Sequence, residues 1–318
     1  MLQSYNTNSA GLMTRGINNQ INDWIHVSKP TIDEIEYLSR KFNFPKDYLS
    51  CVNDPDEIAR QEKLGINPIE EPNLIIFNYP SKVINKLGYD EYITIPFAMI
   101  LTEHTLITAA EDIPLFLKKI IDNQIDYPVN TKKKELFILE VAWQISSHYV
   151  FYLKEIIRKT EYMEQQLTKS TENEQLFALM SLQKSLIYFN SSIHASHPIF
   201  DKLKKIKSFT VQVENRNLLH DVVVENRQAE VMIEETSRLL EQISAVFSSV
   251  ISNNLNNIMR FLTSITIVLT IPTIIGGIWG MNVNLPIDQG SFAFWIIMVL
   301  ILFISFLTTW LLKKKHYL

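Results

Sequence analysis

The chain has 318 residues, enough for about two soluble domains, and carries 30 basic against 34 acidic residues for a net charge of −4. That balance excludes a nucleic-acid binder built on a basic surface, and the single cysteine, Cys51, excludes a disulfide framework or a multi-cysteine metal cluster. With 8 glycines and neither a Gly-x-Gly-x-x-Gly nor a Gly-x4-Gly-Lys-Ser/Thr spacing, nucleotide-dependent catalysis lacks its usual loop, and no other catalytic constellation replaces it.

In chain order, residues 1–16 are polar and contain no apolar h-region, so no signal peptide is expected. Residues 24–27 read as a short strand. Thr31 with Glu34 three positions later forms a capping-box signature, opening a helix with Ile32, Ile35 and Leu38 on one face. Segments 74–79, 92–101 and 105–110 have β-rich composition, separated by Pro80, Gly88-Tyr89-Asp90 and Glu103-His104. Residues 114–121 return to helix, which completes an α/β domain expected over 1–130.

Segment 132–196 reads as two long helices, carrying Leu136, Leu139, Val141 and Ile145, then Leu176, Leu179, Leu182, Leu186 and Phe189. Trp143 and Tyr149 fall at helical spacing and read as core. A break is expected at 194–198, where Pro198 makes His194-Ala195-Ser196-His197 read as a polar loop more readily than as a metal site. Beyond it, segment 203–276 contains one proline, Pro272. A continuous helix from about Leu218 would run ~60 residues, or ~90 Å, too long for one small domain to bury, so it calls for neighbours, most simply copies of itself. Its acidic stretch Glu225, Glu230, Glu234, Glu235 and Glu241 reads as a solvated face. Helical domain and stalk together are expected over 131–260.

No residue is charged between Arg260 and Asp288, nor between Asp288 and Lys313. Each stretch exceeds the roughly 20 residues that span a bilayer core, giving spans at about 261–278 and 292–312 in a two-helix hairpin over 261–318. The loop at about 279–291 holds no lysine or arginine, whereas Arg260 precedes the first span and Lys313, Lys314 and Lys315 follow the second. The positive-inside rule then places both termini in the cytoplasm. Trp279, Trp295 and Trp310 lie near span ends, where indole rings favour the headgroup region.

A further pattern crosses into the first span: Ser249, Ser252, Asn256, Met259, Thr263, Thr266, Thr270, Thr273, Gly277 and Gly280 recur at alternating intervals of three and four. That is one seam on supercoiled helices, and all but Met259 are small, hydroxyl-bearing or an amide. Two readings stay open. The small residues allow close helix contact with threonine hydroxyls bonded to their own helix, or symmetry-related copies face a water-filled axis, where hydroxyls are less costly than in lipid. A two-span chain lines a pore only as an oligomer.

At the outer end of that span stands Trp279-Gly280-Met281-Asn282-Val283-Asn284-Leu285-Pro286. Behind a long charged helix and before a last span, this stretch resembles the CorA family of divalent-cation channels, over nearly the whole chain. The segments 182–189, 219–229 and 256–263 are similar to that family's helical domain, stalk and membrane entry, and 54–60 matches more loosely. The resemblance implies an α+β membrane protein: an N-terminal α/β cytoplasmic domain, a stalk helix continuing into the pore, and a second transmembrane helix. It implies a homopentamer in the inner membrane, with no enzymatic activity or organic cofactor, passing Mg2+ and also Co2+ or Ni2+. Gly280, Met281 and Asn282 would form the selectivity loop, Asn282 meeting the hydrated ion first. Asn256, Met259 and Leu262 take the constriction positions and Thr273 that of the family's pore threonine; with the stripe read as a pore, Thr263, Thr266, Thr270 and Gly277 line the path beside it. Thr270 stands where many members carry a methionine, and Pro272 is displaced by one residue. Asp221 matches a stalk aspartate that holds regulatory Mg2+, with Asp90 or Glu91 as its expected partner. Asp288 reads as a solvated loop acid near the mouth. Alternatives are a Zn2+ transporter of the same family or a non-conducting, membrane-anchored scaffold or sensor.

Overall fold

A computed structural model describes residues 1–8, 12–16, 23–66, 71–124, 130–166, 173–281 and 292–315. The chain divides into two compact units, Met1–Ile243 and Ser244–Leu318. The sequence divisions at 130 and 260 each fall inside one of these units.

The first unit is built on a seven-stranded sheet in the order β2-β1-β3-β7-β6-β5-β4. Its strands are β1 (Leu2–Thr7), β2 (Met13–Arg15), β3 (Trp24–Ser28), β4 (Arg60–Glu62), β5 (Asn73–Ile84), β6 (Asp90–Leu101) and β7 (Leu106–Ala110). Only β3 and β7 pair in parallel, Trp24 facing Leu106 and Ser28 facing Ala110; the other neighbours are antiparallel. Helix α1 (Ile32–Phe42), α2 (Asp47–Ser50) and a 3-10 turn (Cys51–Asn53) supply Leu38, Tyr48, Leu49 and Val52 to a core with Ile25, Val27, Leu74, Ile76, Ile100 and Ile107. Thr31 caps α1 in the expected reciprocal box with Glu34. Ile35 and Leu38 are buried, but Ile32 is 78% exposed, because a first-turn residue lies past the edge of the sheet-facing stripe.

Alternate strand residues point to the opposite face. There Trp24 stacks on Tyr5 of β1, centroids 4.7 Å apart, and meets Phe137 at a tilt with centroids 4.9 Å apart. Phe77 lies 5.4 Å from Phe200 and Tyr149 4.9 Å from Phe189. These partners come from α4 (Lys134–Gln166) and α5 (Asn173–Leu203), the two long helices expected, joined at the sheet by α3 (Leu115–Ile121). Trp143 is half-buried and Tyr149 fully so. His26 sits in this layer with Nδ1 2.8 Å from the Thr108 hydroxyl, which also accepts from Trp24 Nε1 at 2.9 Å. Burial lowers the His26 pKa to about 3.

Two prolines behave differently from expectation. Pro80 lies within β5 opposite Thr94, where a strand boundary was expected. Strand β4 covers β5 only at Leu74, Ile75 and Ile76, so β5 is an edge at Pro80 and tolerates a missing donor. Pro198 lies inside α5, and the expected break at 194–198 does not occur. Buried Ile193, Ile199, Phe200 and Leu203 hold both sides of the proline to the core, and that packing outweighs one lost helical hydrogen bond.

After α6 (Lys207–Thr210), helix α7 runs unbroken from Val213 to Trp279, 67 residues. In the first unit its buried positions are Asn215, Leu219, Val222, Asn226, Ala229, Ile233, Thr236, Leu240 and Ile243. This seam of alternating fours and threes is covered within its own chain. In the second unit, the end of α7 and α8 (Ala293–Lys314) form the two helices long and apolar enough to cross a membrane. Lys314 Nζ lies 5.4 Å from the Trp310 ring centroid, a pairing suited to a headgroup boundary.

Candidate functional site

The striped part of α7 owes its chemistry to side chains that cost little at a helix surface in either water or a protein contact. Ser249, Ser252, Asn256, Met259, Thr263, Thr266, Thr270, Thr273 and Gly277 lie on one unbroken helix, and Gly280 follows its end; all are exposed. The helix passes Pro272 without interruption, and Gly280 N donates to Gly276 O at 2.9 Å as the chain leaves it. A Cβ added at Gly277 would meet nothing within 4 Å, so that glycine leaves an open step in the surface.

The threonine hydroxyls are already committed. Those of Thr266, Thr270 and Thr273 donate to the carbonyls of Leu262, Thr266 and Leu269 at 2.9, 2.7 and 3.0 Å. With the proton spent on the helix, each oxygen keeps its two lone pairs and acts as an acceptor. Such a row suits a partner that donates, and the outer surface of a hydrated cation's water shell is made of donors. Met259 and Leu262 are 53% and 57% exposed, placing two flexible apolar side chains beside the acceptor row. On the remaining faces Ile258, Phe261, Ile267, Leu269, Ile274 and Ile278 are all exposed, as lipid-facing positions require.

Of the loop expected to select the ion, Gly280 and Met281 are described, Met281 being 57% exposed directly after the helix. Asn282 and Asp288 lie outside the described residues.

The expected regulatory carboxylates stand in the first unit. Asp221 is exposed on α7, with no ion pair among the described residues. Asp90, at the start of β6, is clamped by Lys159 Nζ at 2.5 Å and Lys82 Nζ at 3.2 Å. Glu155 completes the group, 2.8 Å from Lys82 and 3.0 Å from Lys159, while Lys159 also donates to the Tyr92 hydroxyl at 2.6 Å. The Lys159 hydrogen bond is the main reason the Asp90 carboxyl titrates below its ordinary range. Glu91 is 7% exposed and paired with Lys184 at 2.7 Å. Sequence spacing gave no sign of these lysines: Lys82 stands on β5, and Lys159 and Lys184 arrive from α4 and α5.

The acidic face of α7 also needs correcting. Glu234, Glu235 and Glu241 are solvated, but Glu225 and Glu230 are half-buried. Glu230 faces His194 and His197 of α5, a meeting visible only once Pro198 is known not to break that helix.

A family model described as CorA-like Mg2+ transporter protein matches residues 19–314. The chain is 24% identical over 301 residues to the cobalt/magnesium transport protein CorA of Methanocaldococcus jannaschii, covering 92% of this chain and 90% of that one. The complete structure of the M. jannaschii CorA magnesium transporter superposes with a TM-score of 0.78 at 20% identity, covering 100% and 99% of the two chains. Full-length CmaX gives 0.70 at 14% identity, covering 98% and 96%. The ZntB cytoplasmic domain from Vibrio parahaemolyticus gives 0.56 at 12%, covering 80% and 97%.

Proposed function

The chain belongs to the CorA-like Mg2+ transporter family, a family of divalent-cation transporters and not of enzymes, and on that premise we propose that it is a homopentameric channel for Mg2+. Copies of α7 gather around a wet axis in the inner membrane, with both termini cytoplasmic. The observation that carries this reading is the uncharged acceptor row, Thr266, Thr270 and Thr273, on one continuous membrane-crossing helix.

The chemistry follows from the ion. Mg2+ gives up its water reluctantly and prefers octahedral oxygen coordination. Hydroxyl and amide oxygens accept from its shell without stripping it, and a path free of carboxylates binds weakly enough to release. At the mouth, a ring of Asn282 amides performs the same task first. Inward movement needs no nucleotide, since a divalent ion crossing 100 mV gains about 4.6 kcal/mol, twice the ~2.3 for one charge. Met259 and Leu262 close the path by dewetting it.

Internal Mg2+ favours the closed assembly by bridging Asp221 of one copy to Asp90 of the next. Asp90 suits this role better than Glu91, whose carboxylate is nearly fully buried against Lys184. The ion must compete with Lys159 and Lys82 for Asp90, which keeps the site weak and responsive to concentration.

The test is Mg2+ uptake into proteoliposomes by the parent chain and by Asn282→Ala, each competed with Co2+, Ni2+ and Zn2+. The reading expects uptake that falls at least tenfold in the variant and that Co2+ and Ni2+ reduce. Zn2+ carried in preference to Mg2+ would make the chain a zinc transporter, and no flux of any ion would make it a scaffold or sensor.

A further inference from the structure

Away from the membrane helices, three metal-ligating side chains converge where α5 packs on α7. His194 and His197 stand one helical turn apart on α5, and Glu230 approaches them from α7. His194 Nδ1 lies 3.8 Å from Glu230 Oε1, and His197 Nε2 lies 3.7 Å from Oε2. The two imidazoles meet edge to face with centroids 5.4 Å apart, and one donor atom from each of the three residues lies within 4.8 Å of the others.

These separations are too long for direct hydrogen bonds but close to what one ion would span. Ligands about 2.1 Å from a tetrahedral centre stand about 3.4 Å from one another. The two histidine–glutamate separations lie within a few tenths of an ångström of that figure, all three ligand atoms stay within 4.8 Å of one another, and a fourth position is left for water. The Glu230 side chain is 16% exposed and already oriented, because Arg227 donates to its Oε2. Oε1 is the oxygen nearer His194 and Oε2 the one nearer His197, so the carboxylate faces both imidazoles. His194, 52% exposed, keeps the entrance open to solvent.

We propose that His194, His197 and Glu230 form a binding site for a borderline transition-metal ion, Zn2+ or Co2+, that ties α5 to α7. Two neutral imidazoles and one carboxylate match that class. Mg2+, which demands oxygen ligands in octahedral array, is refused by the same atoms. An occupied site links the sheet-covering helix α5 to the helix that carries the acceptor row, so α7 responds to an ion distinct from Mg2+. The proposal stands on these three residues alone and holds whether or not the chain conducts.

The full-length chain in detergent is dialysed against Zn2+, and separately Co2+, in excess Mg2+. One ion retained per chain is expected, with the intense visible absorption of four-coordinate Co2+. Affinity should fall about tenfold or more in His194→Gln and in His197→Gln. Histidine modification by diethylpyrocarbonate, mapped on the unaltered protein, gives a reading that needs no variant. Zn2+ should protect His194 and His197 while leaving the exposed His104 and His220 reactive. Displacement of Zn2+ by Mg2+, or equal modification of all four histidines with and without Zn2+, overturns the site.

Discussion

Replacing Thr270 and Thr273 together by valine separates a wet axis from a dry contact, because the two arrangements give effects of opposite sign. Valine keeps the shape of threonine and removes only the hydroxyl. In the native helix those hydroxyls already satisfy the carbonyls of Thr266 and Leu269 at 2.7 and 3.0 Å, so the backbone loses a supplementary bond and keeps its own ladder. What disappears on the outside is one acceptor per copy at each level. If water and a hydrated ion face that acceptor, each level loses about 1 kcal/mol of net hydrogen bonding. At 1.36 kcal/mol per tenfold, this slows passage about fivefold for each level crossed. If the row instead packs dry or faces lipid, the substitution removes a buried polar atom and stabilises the assembly by up to about 1 kcal/mol. The assay is Mg2+ influx into proteoliposomes holding a trapped indicator, under an inside-negative potential, paired with thermal melting of the detergent-solubilised protein. Thr309→Val is the control, since Thr309 makes the same back-bond to Ser305 at 2.8 Å on α8, and it should leave flux unchanged. Full flux in the double variant together with a higher melting temperature would remove the pore from this face.

Two further outcomes test other parts of the chain. Asp221→Lys should leave influx running at high internal Mg2+ where the parent stops; inhibition unchanged in the same flux assay would clear Asp221 of a regulatory role. His26 should make the folded state acid-sensitive. Its pKa falls from 6.5 to about 3 on folding, so between those values the unfolded chain binds a proton that the folded one refuses. Stability is therefore whole above pH 6.5 and falls by about 1.4 kcal/mol per unit as pH drops through that window, levelling below about 3. Denaturant titrations followed by near-ultraviolet circular dichroism should show that slope reduced in His26→Leu, and an unaltered slope would assign the acid sensitivity to other groups.

What the sequence disclosed depended on whether local chemistry or long-range packing decided each feature. The capping box at Thr31 and Glu34, the strands ending at Leu101 and Ala110, and the two uncharged spans rest on short-range patterns, and the structure agrees with them. Strands β1 and β2 were hidden because their residues are polar. They form because Tyr5 stacks on Trp24 and the Thr7 and Thr131 hydroxyls meet at 2.8 Å, contacts between positions far apart in the chain. Pro198 misled for the same reason: a breaker in isolation, it is overruled by buried neighbours. The lysine clamp on Asp90 was beyond reach until α4 was set against β5 and β6, and the approach of Glu230 to two histidines until α5 was set against α7.

The heptad alternation in α7 explains how one helix serves two chemistries. The buried seam from Asn215 to Ile243 and the row from Ser249 to Gly280 follow the same three-four rhythm in different registers. Continued toward the N-terminus, the register of the row passes through Gln242, Arg238, Glu235, Val231, Gln228, Val224 and Asp221, every one exposed. Within the first unit the seam is thus covered by the chain itself, while the register of the row stays exposed. Val224 and Val231, 51% and 39% exposed, are apolar positions in that register that a second copy of α7 would cover in the proposed assembly. Asp221 shares that register, so the proposed regulatory carboxylate and the proposed ion path follow one heptad register of α7.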